Sequence, residues 1–183
     1  MNRSLAASVL TGFRPGFFLN TWMLLAVATA GLAALLGPRP PTVPATAMLA
    51  LTAAMVLGVY AERIARRAGA AAHGLGLLGI AAALAVAAAA LTGAAPGGAG
   101  LAFWAAVIAV WLGAWMLVAM VTALPRRPGP AGSALALVPP AVFGLTLIWL
   151  WEVVVTALAV PRVILPAPSL IGARIGSSLD ILW

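Results

Sequence analysis

Apolar residues fill this chain in blocks, and short clusters of proline, glycine and arginine separate them. Five blocks read as helices: roughly Phe17 to Leu36, Ala45 to Tyr60, Gly74 to about Thr92, Leu101 to Leu124, and Leu135 to Val160. Each is near the roughly 20 residues a helix needs to cross hydrocarbon. The breaks are GPRPPTVP (37–44), AERIARR (61–67), GAAPGGAG (93–100) and PRRPGP (125–130). Three contain proline, which cannot continue a helix, and AERIARR is a charge cluster. The first block is too long for a signal-peptide core, and no cleavage site follows it, so it reads as retained. The pattern predicts an all-α, polytopic inner-membrane bundle of five transmembrane helices.

Composition sharpens that picture. Hydrophobic residues make up 64% of the chain and charged residues 7%, too little polar surface to keep a globule in solution. There is no cysteine, which removes disulfides, thiolate metal sites and cysteine nucleophiles. One histidine and three acidic residues are too few for a metal centre or carboxylate catalysis. GAAPGGAG lacks the lysine and the strand–helix setting of a phosphate cradle. The chain therefore reads as no enzyme, and as needing no cofactor.

The net charge is +7, and all ten basic residues are arginine. They lie in the connections between blocks, a membrane-topology pattern and not a nucleic-acid one. With a cytoplasmic N-terminus, the inner segments hold Arg3, Arg14, Arg63, Arg66, Arg67, Arg126 and Arg127, and the outer ones Arg39, Arg162 and Arg174. Seven arginines against three make the expected orientation N-in, which leaves Pro161 onward on the periplasmic face.

Small residues recur every fourth position within the blocks: Ala26/Ala30/Ala34, Ala50/Ala54/Gly58, Ala81/Ala85/Ala89/Gly93 and Ala105/Ala109/Gly113. Such stripes let helices pack closely in lipid, although alanine is common enough here for some to arise by chance. Trp104, Trp111 and Trp115 share one helical face. An aromatic wall for a ligand or pigment is one reading, and lipid anchoring with packing is the preferred one. His73 is a weak candidate ligand for a tetrapyrrole metal, and a polar cap at the start of the third span is the plainer reading. Glu62 is spaced for a local ion pair with Arg63 or Arg66.

The stretch IWLWEVVVTALAVPRVILPAPSL (148–170) holds the one acidic residue inside a span, Glu152. A carboxylate at mid-bilayer costs on the order of 2–3 kcal/mol, so it asks for a partner. Pro161, Pro166 and Pro168 then force an extended outer loop. Ser169 is placed to cap a following helix that begins near Leu170. Trp149 and Trp151 offer indole donors at the depth of Glu152.

A Trp-Glu pair, a proline and ILPAPS in this order resemble the opening of the permease subunit of binding-protein-dependent ABC importers, in the nitrate, sulfonate and taurine branch. The matching positions are Trp151, Glu152, Pro161, Leu165, Pro166, Pro168 and Ser169, and Ala167 stands where that family usually has serine. The resemblance covers about residues 140–183. It implies a transmembrane subunit, or the N-terminal portion of one, for import of a small anion or organic solute. It implies as partners an ATPase, a periplasmic binding protein and a second permease copy. The family's later core helices and its Glu-Ala-Ala cytoplasmic loop have no counterpart here. Residues 1–130 then form an additional four-helix module of unknown role, and 131–183 the permease-like part. The alternative is an accessory subunit, without transport activity, that packs in lipid against other membrane-protein subunits of a photosynthetic or respiratory assembly. The plainer reading of Glu152 itself is an interfacial anchor that does not touch substrate.

Overall fold

The computed structural model describes residues 15–36, 43–64, 70–94, 99–124 and 128–178. Among them are six α-helices and no strand: α1 (Pro15–Leu36), α2 (Ala45–Ile64), α3 (Ala70–Gly93), α4 (Leu101–Thr122), α5 (Pro130–Ala157) and α6 (Pro168–Ser178). Three segments are long and apolar enough to cross a membrane: His73–Gly93, Leu101–Thr122 and Gly132–Ala157. The described apolar parts of α1 and α2, Asn20–Ala33 and Ala45–Ala61, are shorter. The side chains of Glu62, Arg63 and Arg66, with those of Arg3, Arg14, Arg67, Arg126 and Arg127 and residues 179–183, lie outside the described residues.

The centre of the bundle is α4. It carries buried residues on nearly every side, from Ala102 and Phe103 to Met120 and Val121. Its most extensive packing is on α1, and α2, α3 and α5 also touch it. The α2–α3 pair forms the other broad interface. No polar or charged residue is buried among the described residues, while large apolar side chains such as Leu49, Leu75, Leu78 and Leu145 point outward. An apolar exterior around an apolar core is what a lipid-solvated bundle requires.

On helices this apolar a hydroxyl group has few partners besides its own backbone. Thr29, Thr52, Thr92, Thr146 and Thr156 each donate to the carbonyl four residues earlier, at 2.6–2.9 Å. This back-bonding suits threonine in a membrane helix.

Two of the small-residue stripes face protein. Ala105, Ala109 and Gly113 are all buried. A Cβ at Gly113 would stand 2.5 Å from Leu84 Cδ2 and 3.3 Å from Met23 Cε, so α1, α3 and α4 converge there. Ala50, Ala54 and Gly58 are buried as well, and a Cβ at Gly58 would meet Met116 Cε at 2.9 Å. In the first stripe Ala30 is fully buried and Ala26 partly so. The α3 stripe differs, because Ala85, Ala89 and Gly93 are exposed. That helix packs instead through Leu77, Ile80, Leu84, Ala87 and Leu91, and its chief neighbours are α2 and α4.

The last span also differs from its sequence outline. It begins at Pro130, five residues earlier than expected, because proline fits the first helical position, whose N–H has no helical acceptor. Pro139 and Pro140 lie inside it and deprive the carbonyls of Leu135 and Ala136 of their usual donors. It ends at Ala157 in a Schellman motif: Ala159 N–H donates to Thr156 O (3.2 Å) and Val160 N–H to Val155 O (3.0 Å). Ala159 carries the positive φ of 49° that this turn demands, a place glycine usually fills.

Candidate functional site

The turn at Ala159 reverses the chain. Pro161 O then accepts from Ile164 N (2.9 Å) and Leu165 N (3.2 Å), which tightens the loop between α5 and α6 and ties two of the motif positions together. Pro166 and Pro168 flank Ala167, which is buried. Ala167 occupies the N-cap of α6, since its carbonyl accepts from Leu170 N (3.0 Å) and Ile171 N (3.2 Å). Alanine has no side-chain oxygen with which to cap a helix.

Glu152 supplies the missing cap from another helix. Its Oε2 accepts from Ser169 N–H at 2.8 Å, and its Oε1 accepts from Ser169 Oγ–H at 2.7 Å. Pro168 has no N–H, so Ser169 holds the first free donor of α6. The carboxylate meets that donor and the positive end of the helix dipole together. Both oxygens are engaged, and α6 leaves no free N–H in its first turn.

This corrects two expectations. The helix begins at Pro168 rather than Leu170, and Ser169 is its second residue and not its N-cap. Ser169 gives its hydroxyl to Glu152 instead of to its own helix. The neighbouring indoles do not serve Glu152 either. Trp149 Nε1–H donates to Ala88 O (3.2 Å) and Thr92 Oγ1 (3.1 Å), joining α5 to α3. Trp151 Nε1 is buried without a hydrogen-bond partner.

Thus the motif residues close one local structure: Glu152 with Ser169, Pro161 with Leu165, and Pro166 and Pro168 on either side of the cap position. The role of Ala159 and the Trp149–Thr92 bridge carry no signal in the sequence.

The other candidates lie elsewhere. His73 is the fourth residue of α3, half-buried, and its Nδ1 has no partner. Among the described residues no three His, Cys, Asp or Glu side chains gather as a metal site would require. Trp111 and Trp115 are 40% and 44% exposed and meet edge to face at 6.5 Å, with Phe143 of α5 against Trp115 at 6.2 Å. They line a shallow apolar groove with Val118, Val142 and Thr146. Trp104 is half-buried against Phe103.

No protein-family model, curated protein or solved structure matches the chain.

Proposed function

We propose that this chain is a five-span, N-in protein of a prokaryotic inner membrane, and that α5, the outer loop and α6 are the opening elements of an ABC-importer permease. The solute would be a small anion or organic solute, and the partners an ATPase, a periplasmic binding protein and a second permease copy. The observation that carries this reading is the Glu152–Ser169 pair. It gives one physical reason for the glutamate, the prolines and the serine to occur together at this spacing. Glu152 acts as a structural clamp on α6 and not as a substrate contact.

A deletion strain tests the reading. ATP-dependent uptake of radiolabelled nitrate, an alkanesulfonate or taurine is expected to fall, and to return with the full chain but not with one lacking residues 161–178. Unchanged uptake of all three sinks the permease reading. Orientation is tested separately through the absence of cysteine in the chain. Gly172, exposed on α6, is the reporter: Gly172→Cys should react with an impermeant maleimide in intact spheroplasts. Reaction only after the membrane is breached would reverse the topology.

A second reading, an accessory subunit of a larger membrane assembly, draws on the outward face of α5. Leu137, Phe143, Leu145, Leu147 and Ile148 are all exposed there. Co-sedimentation with a respiratory or photosynthetic complex in mild detergent would favour it.

A further inference from the structure

The contact between Glu152 and Ser169 fixes the depth of α6. Glu152 lies five residues before the end of α5 at Ala157, or roughly 7.5 Å back along the helix axis. The apolar segment Gly132–Ala157 is 26 residues, about 39 Å long against a hydrocarbon core of about 30 Å. Its end therefore reaches the headgroup layer, and α6 starts below that end instead of projecting into water.

The segment carries side chains suited to that depth. Val163 and Ile164 at the loop tip are 97% and 74% exposed. On α6, Leu170, Ile171 and Ile175 fall on one side, and Ser169, Gly172, Gly176 and Ser177 on the other. No residue of α6 is buried, and α5 is the one helix it touches. Arg162 and Arg174 flank the apolar side chains, and neither has an ion-pair partner among the described residues. The nearest acid described, Glu152, is occupied by Ser169.

We infer that residues 161–178 form an interfacial anchor for anionic phospholipid. Val163, Ile164 and Ile175 enter the acyl boundary, and Arg162 and Arg174 hold lipid phosphates. An arginine stem can lie along apolar surface while its guanidinium reaches outward, which accounts for Arg174 on the apolar half of α6. A guanidinium fork suits a phosphate, and each charge near an anionic surface favours docking. The inference rests on the reading that the bundle spans a membrane, but not on transport.

Spin labelling of the full chain tests it. Single Ile164→Cys, Ile175→Cys, Gly172→Cys and Gly176→Cys variants carry a nitroxide, with Leu145→Cys as the control within the span. Each is reconstituted in phosphatidylglycerol or phosphatidylcholine bilayers. Labels at 164 and 175 should collide with oxygen and be shielded from a water-soluble nickel chelate, with the reverse at 172 and 176. In phosphatidylglycerol, Arg162→Gln and Arg174→Gln should each lower the ratio of docked to lifted label about fivefold, with little change in phosphatidylcholine. Nickel access at 164 and 175 while 145 stays shielded overturns the anchor and leaves the membrane reading intact. Shielding of 164 and 175 from both reagents would mean that protein covers them, and also overturns it. Nickel access at 145 would defeat the membrane reading itself.

Discussion

Glu152 and Ser169 are 17 positions apart, and two hydrogen bonds of 2.8 and 2.7 Å join them so that the carboxylate of one helix caps the next. An N-cap normally comes from the residue just before the helix. Here that residue is Ala167, and the cap is borrowed across the loop between α5 and α6. The start of α6 therefore depends on the position of α5.

Removing the carboxylate should loosen α6 first. Glu152→Leu is expected to speed amide exchange across 169–174 about tenfold, the loss of a cap worth about 1.4 kcal/mol. Glu152→Gln keeps an acceptor but gives up the charge, and should speed exchange only two- to threefold, about 0.5 kcal/mol. Hydrogen-exchange mass spectrometry in nanodiscs reads both. Equal protection in Glu152→Leu and the parent would show that the contact contributes nothing.

Ala167→Ser restores a local cap. It should recover much of the protection lost in Glu152→Leu, by about 0.5–1 kcal/mol, because the new hydroxyl can accept from the first turn of α6. A double-mutant cycle by exchange measures this, and strict additivity would argue against a shared cap.

Ala159 sits at φ 49°, where an L side chain is strained. Ala159→Gly relieves the strain, and the net gain after the extra entropy of unfolded glycine should be about 0.5–1 kcal/mol. The thermal midpoint in detergent should rise, and Ala159→Val should lower it. A lower midpoint for the glycine variant would place the positive φ in doubt.

The two kinds of stripe should respond oppositely to bulk. Gly113→Ala puts a Cβ 2.5 Å from Leu84 Cδ2 and should destabilise by about 1–3 kcal/mol unless Leu84 shifts freely. Ala85→Leu and Ala89→Leu sit on exposed positions and should stay within about 0.5 kcal/mol of the parent. Unfolding in detergent distinguishes them. A large loss at Ala85 or Ala89 would reveal a partner on that face.

Trp149→Phe keeps the ring and removes the donor to Ala88 O and Thr92 Oγ1. Interhelical bonds of this kind in membranes average about 0.6 kcal/mol, so a modest loss is expected. In Thr92→Val one of the two acceptors is gone and Ala88 O remains, so the same tryptophan change should then cost less.

Hydrophobic blocks and prolines made the helix order legible. The fourth span, expected over Leu101 to Leu124, runs to Thr122, and flanking glycine and proline mark its ends. Its neighbour was harder. Pro130 looked like a breaker but sits where a helix tolerates it, and the stop at Ala157 depends on a left-handed alanine that no sequence rule anticipates. On α3, alanine is so frequent that the four-residue period could not show which side faces protein, and leucine and isoleucine decide it. Glu152 could be recognised as needing a partner, and the prolines as a reversal. That the partner would be the second residue of α6 required the length of the loop and the fold of the turn together.

The burial pattern of α5 has a mechanical consequence. Its buried side chains, Val153, Val155 and Ala157, cluster at one end, while none of residues 132–149 is buried. The helix is gripped near its C-terminal tip, and its contacts further back are half-buried side chains such as Leu135, Val138 and Val142. From Val155 back to Pro130 is about 38 Å, so a tilt of about 10° at the grip sweeps the far end through roughly 6.5 Å, and Pro139 and Pro140 give the arm a point of bending of its own. Because Glu152 latches α6 right beside that grip, residues 158–178 stay with the fulcrum, and the larger movement falls to the N-terminal end of α5.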